Sequence, residues 1–332
     1  MFAEERKFES VMKRIGGAML IFIAAFNVLG MGTEGIRYLF ADLLFPKSAI
    51  VYAITDILCS LAYCASFLLP VLFFYLISKK NKAEPMNLEL VLPEKHTVFK
   101  LLSVLFIGMS VILTMAYLNS ILLPSAAQTN NVLFDKDLTS PYKIVLLFFS
   151  TAVVPAFVEE FMFRGMVYSN LRPYGRGVAI LISALLFGLM HQNAGQLLYA
   201  TAAGVVLAVV YEMTGSFWCC VLLHFFNNFF AIIEQVWFAQ YPVEKASLLC
   251  SIAEVSIFFL GLVFAVLWLV VGRKTECENC TEDRAFFGKF EQSNKSTGKI
   301  STQGVLRGFF NPVMIVFLVL AVGQMLLVYF FY

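Results

Sequence analysis

An all-α, polytopic transmembrane bundle is predicted from three observations: the composition, the length of the apolar runs, and the placement of the basic residues. Hydrophobic residues make up 60% of the 332-residue chain and charged residues 14%, against about 25% charged in an ordinary soluble domain. With a mean hydropathy of +0.81, the chain carries more apolar surface than a soluble core needs. Runs of spanning length fall at about residues 15–31, 51–77, 98–122, 142–163, 178–191, 196–213, 217–238, 252–271 and 309–331. If the N-terminus faces the cytoplasm, all of the 24 Lys and Arg residues except Arg37, Lys47, Lys136, Lys143 and Lys245 fall on the cytoplasmic side. The positive-inside rule therefore favours that orientation and, over nine crossings, an external C-terminus.

In chain order, the first run follows the charged segment Met1 to Arg14 and shows no small-residue cleavage site, so it reads as a retained helix. The second contains Asp56 and ends at Lys79 and Lys80. Glu84-Pro85 and Leu92-Pro93 then punctuate a cytoplasmic connector with room for a short interfacial helix. Residues 123–141, rich in Asn, Asp and Ser, read as an external loop after the third run. Pro173 to Gly177 is a sharp turn between the fourth and fifth runs. The fifth run spans only about 21 Å at 1.5 Å per residue, against a hydrocarbon core near 30 Å. It must begin earlier, near Tyr174, or end inside the membrane at a cavity. Gly188, Gly195 and Gly204 are expected to permit close helix packing. The expected organisation is a membrane domain over 1–271 with a core at 142–238, a polar cytoplasmic tether at 272–308, and an accessory C-terminal helix at 309–332.

Several function classes lack their signatures. A net charge of +2 and the absence of a glycine-rich phosphate loop give no sign of nucleic-acid or nucleotide binding. Five of the seven cysteines sit in or beside apolar runs as small hydrophobes, and Cys277 with Cys280 forms one CxxC without the second pair a zinc site needs. No internal repeat suggests a transporter built from inverted halves.

What stands out is polarity inside apolar runs. Glu159, Glu160 and Arg164 interrupt the fourth run, at about 2.5–3.5 kcal/mol per charge at a helix centre on insertion scales. Residues four apart share a helix face, so Glu160 and Arg164 can pair, which leaves Glu159 directed elsewhere. His191 closes the fifth run, and His224 and Asn228, again four apart, lie in the seventh. A carboxylate, two imidazoles and an amide are the parts needed to activate water against a carbonyl: base, water or metal holder, and oxyanion donor. Asp56 is the other acid within a run, with a structural contact the preferred reading. Ser183 and Ser216 each stand eight residues before a histidine, without a nucleophile pattern, and no HExxH occurs.

Glu159-Glu160-Phe161-Met162-Phe163-Arg164 resembles an EExxxR motif, Phe187 to His191 an FxxxH motif, and His224 to Asn228 an HxxxN motif, in that order. Together they resemble the CPBP family of membrane proteins, which includes Rce1-type CAAX prenyl endopeptidases and bacteriocin-processing or immunity relatives. The resemblance implies an eight-helix-like core and an intramembrane peptidase whose cavity opens toward the cytoplasm. By carry-over, Glu159 is the general base, His191 positions the water, His224 and Asn228 hold the oxyanion, and Glu160 and Arg164 support the site. No cofactor is required by that mechanism; a zinc ion would fall to Glu159, His191 and His224. The partner implied is a membrane-associated peptide or protein within the lipid bilayer, of prenylated or bacteriocin- or pheromone-like type. A silent immunity or scaffold protein and a proton-coupled transporter are the competing classes.

Overall fold

The computed structural model describes residues 3–45, 48–81, 97–122, 141–278 and 300–331. Among the described residues the regular elements are helical and no sheet forms. Helix α1 (Ala3–Arg37) runs on as a π-helical stretch, Tyr38–Leu44. It is followed by α2 (Ala49–Lys80), α3 (Thr97–Leu122) and the composite α4 (Pro141–Tyr174). Then come α5 (Arg176–Met190), α6 (Ala194–Thr214), α7 (Phe217–Gln240), α8 (Val243–Glu278), the short α9 (Thr302–Phe309) and α10 (Pro312–Phe331). Eight of these are long and apolar enough to cross a membrane, and α5 is a shorter apolar helix. The chain is a multi-pass integral membrane protein. The expected connector at 82–94, most of the loop at 123–141 and Cys280 of the CxxC lie outside the described residues.

The helix ends follow local chemistry. Ser48 caps α2 by accepting from Val51 N at 3.4 Å, and Lys79 and Lys80 occupy its last turn. Gly175, at φ +134°, makes the turn from α4 into α5 in a conformation that only glycine adopts without strain. The α5–α6 hairpin packs through glycine: a Cβ on Gly188 would lie 2.9 Å from Leu197 O, and one on Gly204 would lie 2.9 Å from Ala184 Cα. Gly195 differs. It lies in the first turn of α6, its N–H held by the N-cap Asn193 Oδ1 at 2.8 Å and its carbonyl by Asn119 Nδ2 at 2.6 Å.

Two expectations change in the structure. Helix α8 continues to Glu278, so the segment read as the start of a polar tether is its last turns. The C-terminal elements are also not peripheral. Helix α9 lies against α1, where Ser301 Oγ donates to Glu5 Oε1 at 2.6 Å, and α10 buries Met314, Phe317 and Ala321. Long-range packing of this kind leaves no trace in a segmentation by hydropathy.

A buried carboxylate that the motif pattern did not flag ties α4, α5 and α6 together at one end. Glu212, on α6, receives Arg172 Nε at 2.7 Å and Nη2 at 3.0 Å, Arg176 Nε at 2.5 Å, and the Tyr168 hydroxyl. Arg172 and Arg176 had counted only toward membrane orientation. Charge-assisted hydrogen bonds contribute about 1.5–3 kcal/mol each, although Arg172 is 38% exposed and its share is screened. Glu212→Gln is expected to lower the unfolding midpoint of detergent-solubilised protein, by about 1–3 kcal/mol of stability; an unchanged midpoint would show the knot to be idle.

Candidate active site

The two adjacent glutamates enter different environments because they leave α4 about 100° apart. They end a short α-helical segment, Val154–Glu160, after which the chain winds as a π-helix over Phe161–Tyr168. Such insertions are frequent at functional sites. Glu160 and Arg164 are both fully buried and form an ion pair, Nε to Oε2 3.1 Å. Arg164 also donates through Nη2 to Gly204 O at 3.1 Å, and its guanidinium lies 5.5 Å over the Phe187 ring. The other oxygen of Glu160 meets His224 Nδ1 at 2.8 Å. An ionised carboxylate only accepts, so Nδ1 carries the proton and Nε2 is left for the opposite side.

That side faces Glu159. Its Oε2 lies 3.8 Å from His224 Nε2 and has no hydrogen-bond partner although it is buried. Its Oε1 accepts from the Tyr63 hydroxyl of α2. His191 is held differently, with Nδ1 2.8 Å from Phe187 O. A carbonyl accepts, so Nδ1 is again the protonated nitrogen and Nε2 keeps a lone pair. Both imidazoles pack against the Phe187 ring, with centroids 5.2 Å and 5.8 Å away, which accounts for an aromatic residue one turn before His191.

Asn228 has a structural task beside any chemical one. Pro155 has no N–H to give the carbonyl of Thr151 four residues earlier; Asn228 Nδ2 donates to that carbonyl at 3.0 Å. Its Oδ1 accepts from Asn227 Nδ2 at 3.1 Å, and Asn227 Oδ1 accepts from the Tyr199 hydroxyl at 2.9 Å. One N–H of the Asn228 amide remains uncommitted to these partners.

A cavity of about 40 Å³ is lined by His191, His224, Asn227, Asn228 and Tyr199 among apolar side chains. It has room for a water or two. Glu159 does not line it. The carboxylate sits beside His224 and under Tyr63, so three of the four sequence-derived chemical residues border the cavity and the fourth adjoins it. Asp56 stands apart: it is part-exposed and makes a structural contact, 3.7 Å from Arg37. Ser183 bonds a carbonyl of its own helix, Ile180 O, at 3.3 Å. Among the described residues no group of three His, Cys, Asp or Glu side chains is placed to hold a metal ion.

Sequence reasoning did not find Tyr63, Tyr199 or Asn227. Asn227 lay inside the third motif as an unassigned letter, whereas Tyr63 carried no signal at 96 positions from its partner. Removing one hydrogen bond costs about 0.5–1.5 kcal/mol, so Tyr63→Phe should slow any reaction at Glu159 by roughly two- to thirteen-fold. Unchanged turnover in that variant would show that the hydroxyl only fills space.

Residues 141–230 match the family described as type II CAAX prenyl endopeptidase Rce1-like. The candidate membrane peptidase YdiL of Bacillus subtilis (strain 168) is 30% identical over 105 residues, covering 31% of this chain and 43% of its own length. The membrane-embedded CAAX protease MroQ of Staphylococcus aureus (strain USA300) is 24% identical over 185 residues, covering 51% of this chain and 71% of its own. No solved structure matches.

Proposed function

Because the chain belongs, through residues 141–230, to the Rce1-like CAAX/CPBP family of membrane proteases, we propose that it is an intramembrane endopeptidase using water activated by Glu159. The observation that carries the reading is the division of the Glu159 carboxylate. One oxygen is fixed by Tyr63; the other is buried, without a hydrogen bond, and 3.8 Å from His224 Nε2. A base needs one free oxygen within reach of a water and of the reacting centre.

In this scheme Glu159 Oε2 takes a proton from a water held beside His191 Nε2, and the resulting hydroxide adds to the scissile carbonyl. The oxyanion is met by the uncommitted N–H of Asn228 and by an Nε2–H of His224, which that ring carries as the imidazolium that Glu160 orients through Nδ1. Glu159 then returns its proton to the leaving amine as the C–N bond breaks. Arg164 keeps Glu160 ionised and in register. Zinc is not written into these steps: Glu159, His191 and His224 are its candidate donors, but among the described residues they are not placed as a three-ligand group. The substrate class we assign is a membrane-associated peptide or protein, prenylated or bacteriocin- or pheromone-like. The cavity admits water but no peptide, so helices must part to receive one. The N-terminus is placed in the cytoplasm and the C-terminus outside, with 142–238 as the catalytic core of a 1–271 domain.

The test is hydrolysis of a panel of membrane-inserted peptides by purified protein in lipid nanodiscs, with and without chelator. Cleavage that survives chelation supports the scheme, whereas loss restored by added zinc moves the chemistry to a metal. Cleavage that persists unchanged in Glu159→Ala removes Glu159 as the base. Full biological activity without hydrolysis by either form would favour a scaffold.

A further inference from the structure

Helix α5 has 15 residues, about 22 Å, and ends some 8 Å short of a crossing. The turn His191-Gln192-Asn193 therefore sits within the bundle, at a depth where non-helical backbone survives only when protein groups satisfy it. Gln192 is the one non-glycine residue at positive φ (52°) among the described residues, and it is buried. Such a conformation costs about 1–3 kcal/mol and persists only where the surroundings hold it.

Two helices far away in sequence supply the hold. Asn27 of α1 shares the two hydrogens of Nδ2 among three acceptors: Ile23 O of its own helix at 2.9 Å, Gln192 Oε1 at 3.1 Å and Gln324 Oε1 of α10 at 3.1 Å. Gln324 returns a hydrogen bond from Nε2 to Asn27 Oδ1 at 2.6 Å. The Asn27 and Gln324 amides thus form a reciprocal pair, and the pair grips the residue that follows His191. The Phe187 carbonyl at Nδ1 and the Phe187 ring that meet His191 are on its own helix, so the direction of its ring depends on where the turn is held.

We propose that Asn27, Gln192 and Gln324 form an amide clasp that positions His191, which makes α1 and the C-terminal helix part of the active-site support. None of the three touches the reacting atoms; they are positioning residues. The assignment deepens the proposed peptidase reading and rests on it for its kinetic consequence, but the clasp itself has a readout without turnover. The chain has three histidines, so imidazole ¹⁵N resonances can be assigned by substituting each in turn.

Gln324→Leu removes both of its amide bonds at similar volume. It is expected to shift the His191 ¹⁵N signals while His224, tied to Glu160, stays in place, and to lower kcat about ten- to hundred-fold with KM little changed. The exchange Asn27→Gln with Gln324→Asn keeps a paired amide across α1 and α10; it is expected to restore the His191 signals and most of kcat, where each single substitution does not. That rescue separates positioning from general loss of stability and covers a Gln324→Leu variant that fails to fold. Unmoved His191 resonances and wild-type kcat in folded Gln324→Leu, or no recovery in the exchange, would overturn the clasp. If Glu159→Ala still cleaves while the His191 signals respond as described, the peptidase site is wrong and the clasp stands.

Discussion

Glu159→Gln should abolish measurable peptide hydrolysis, a fall of about 10²–10⁴-fold in kcat, while the protein folds and inserts as the wild type does. The asymmetry of the carboxylate is the reason. Its Oε1 accepts from Tyr63, which an amide oxygen can also do, and its Oε2 has no partner to lose. The amide keeps the shape and the contact with α2 but cannot take a proton from water. Peptide binding, measured by fluorescence anisotropy in nanodiscs, should stay within about two-fold, since a base acts on the transition state and not on ground-state affinity. A variant that binds and does not cleave is the expected pair of results. Near-normal cleavage would mean that the base lies elsewhere.

Arg164→Met should act on the fold. Removing one member of a buried ion pair costs about 3–5 kcal/mol, because the other charge stays buried without compensation. Here that charge is Glu160, fully buried, whose remaining contact is His224 Nδ1. The loss should appear as a large drop in the unfolding midpoint in detergent and a small yield of folded protein. Pairing the change with Glu160→Gln removes the orphaned charge and should recover much of the stability but little of the activity, since His224 then loses the carboxylate that orients it. A single variant as stable as the wild type would show that water reaches Glu160 and screens it. The two neighbouring glutamates, alike in sequence, are thus expected to separate by assay: Glu159 through turnover, Glu160 chiefly through stability.

The sequence made local facts legible. Nine apolar runs are nine apolar helices, with the fifth short as its length required, because hydrophobic length is a property of contiguous residues. The Glu160–Arg164 pair follows from four-residue spacing, and it forms at 3.1 Å. What stayed hidden is set by packing between distant segments. Tyr63 meets Glu159 across 96 positions and Asn27 meets Gln324 across 297; no periodicity encodes such a meeting. The role of Pro155 was partly open to view, since a proline inside an apolar run offers no N–H to the turn before it, here the π-helical stretch Phe148–Val153. Which side chain would answer it was not.

That vacancy couples two positions more than seventy residues apart. Were Pro155 an alanine, its N–H could close the ordinary helical bond to Thr151, and the Asn228 amide would be released from a duty that now fixes its direction. Homologous chains that change the proline are therefore expected to relax the asparagine's architectural role, and chains that keep the proline to keep an amide opposite it. Covariation between these two sites would record how a kink in one helix came to aim a side chain on another.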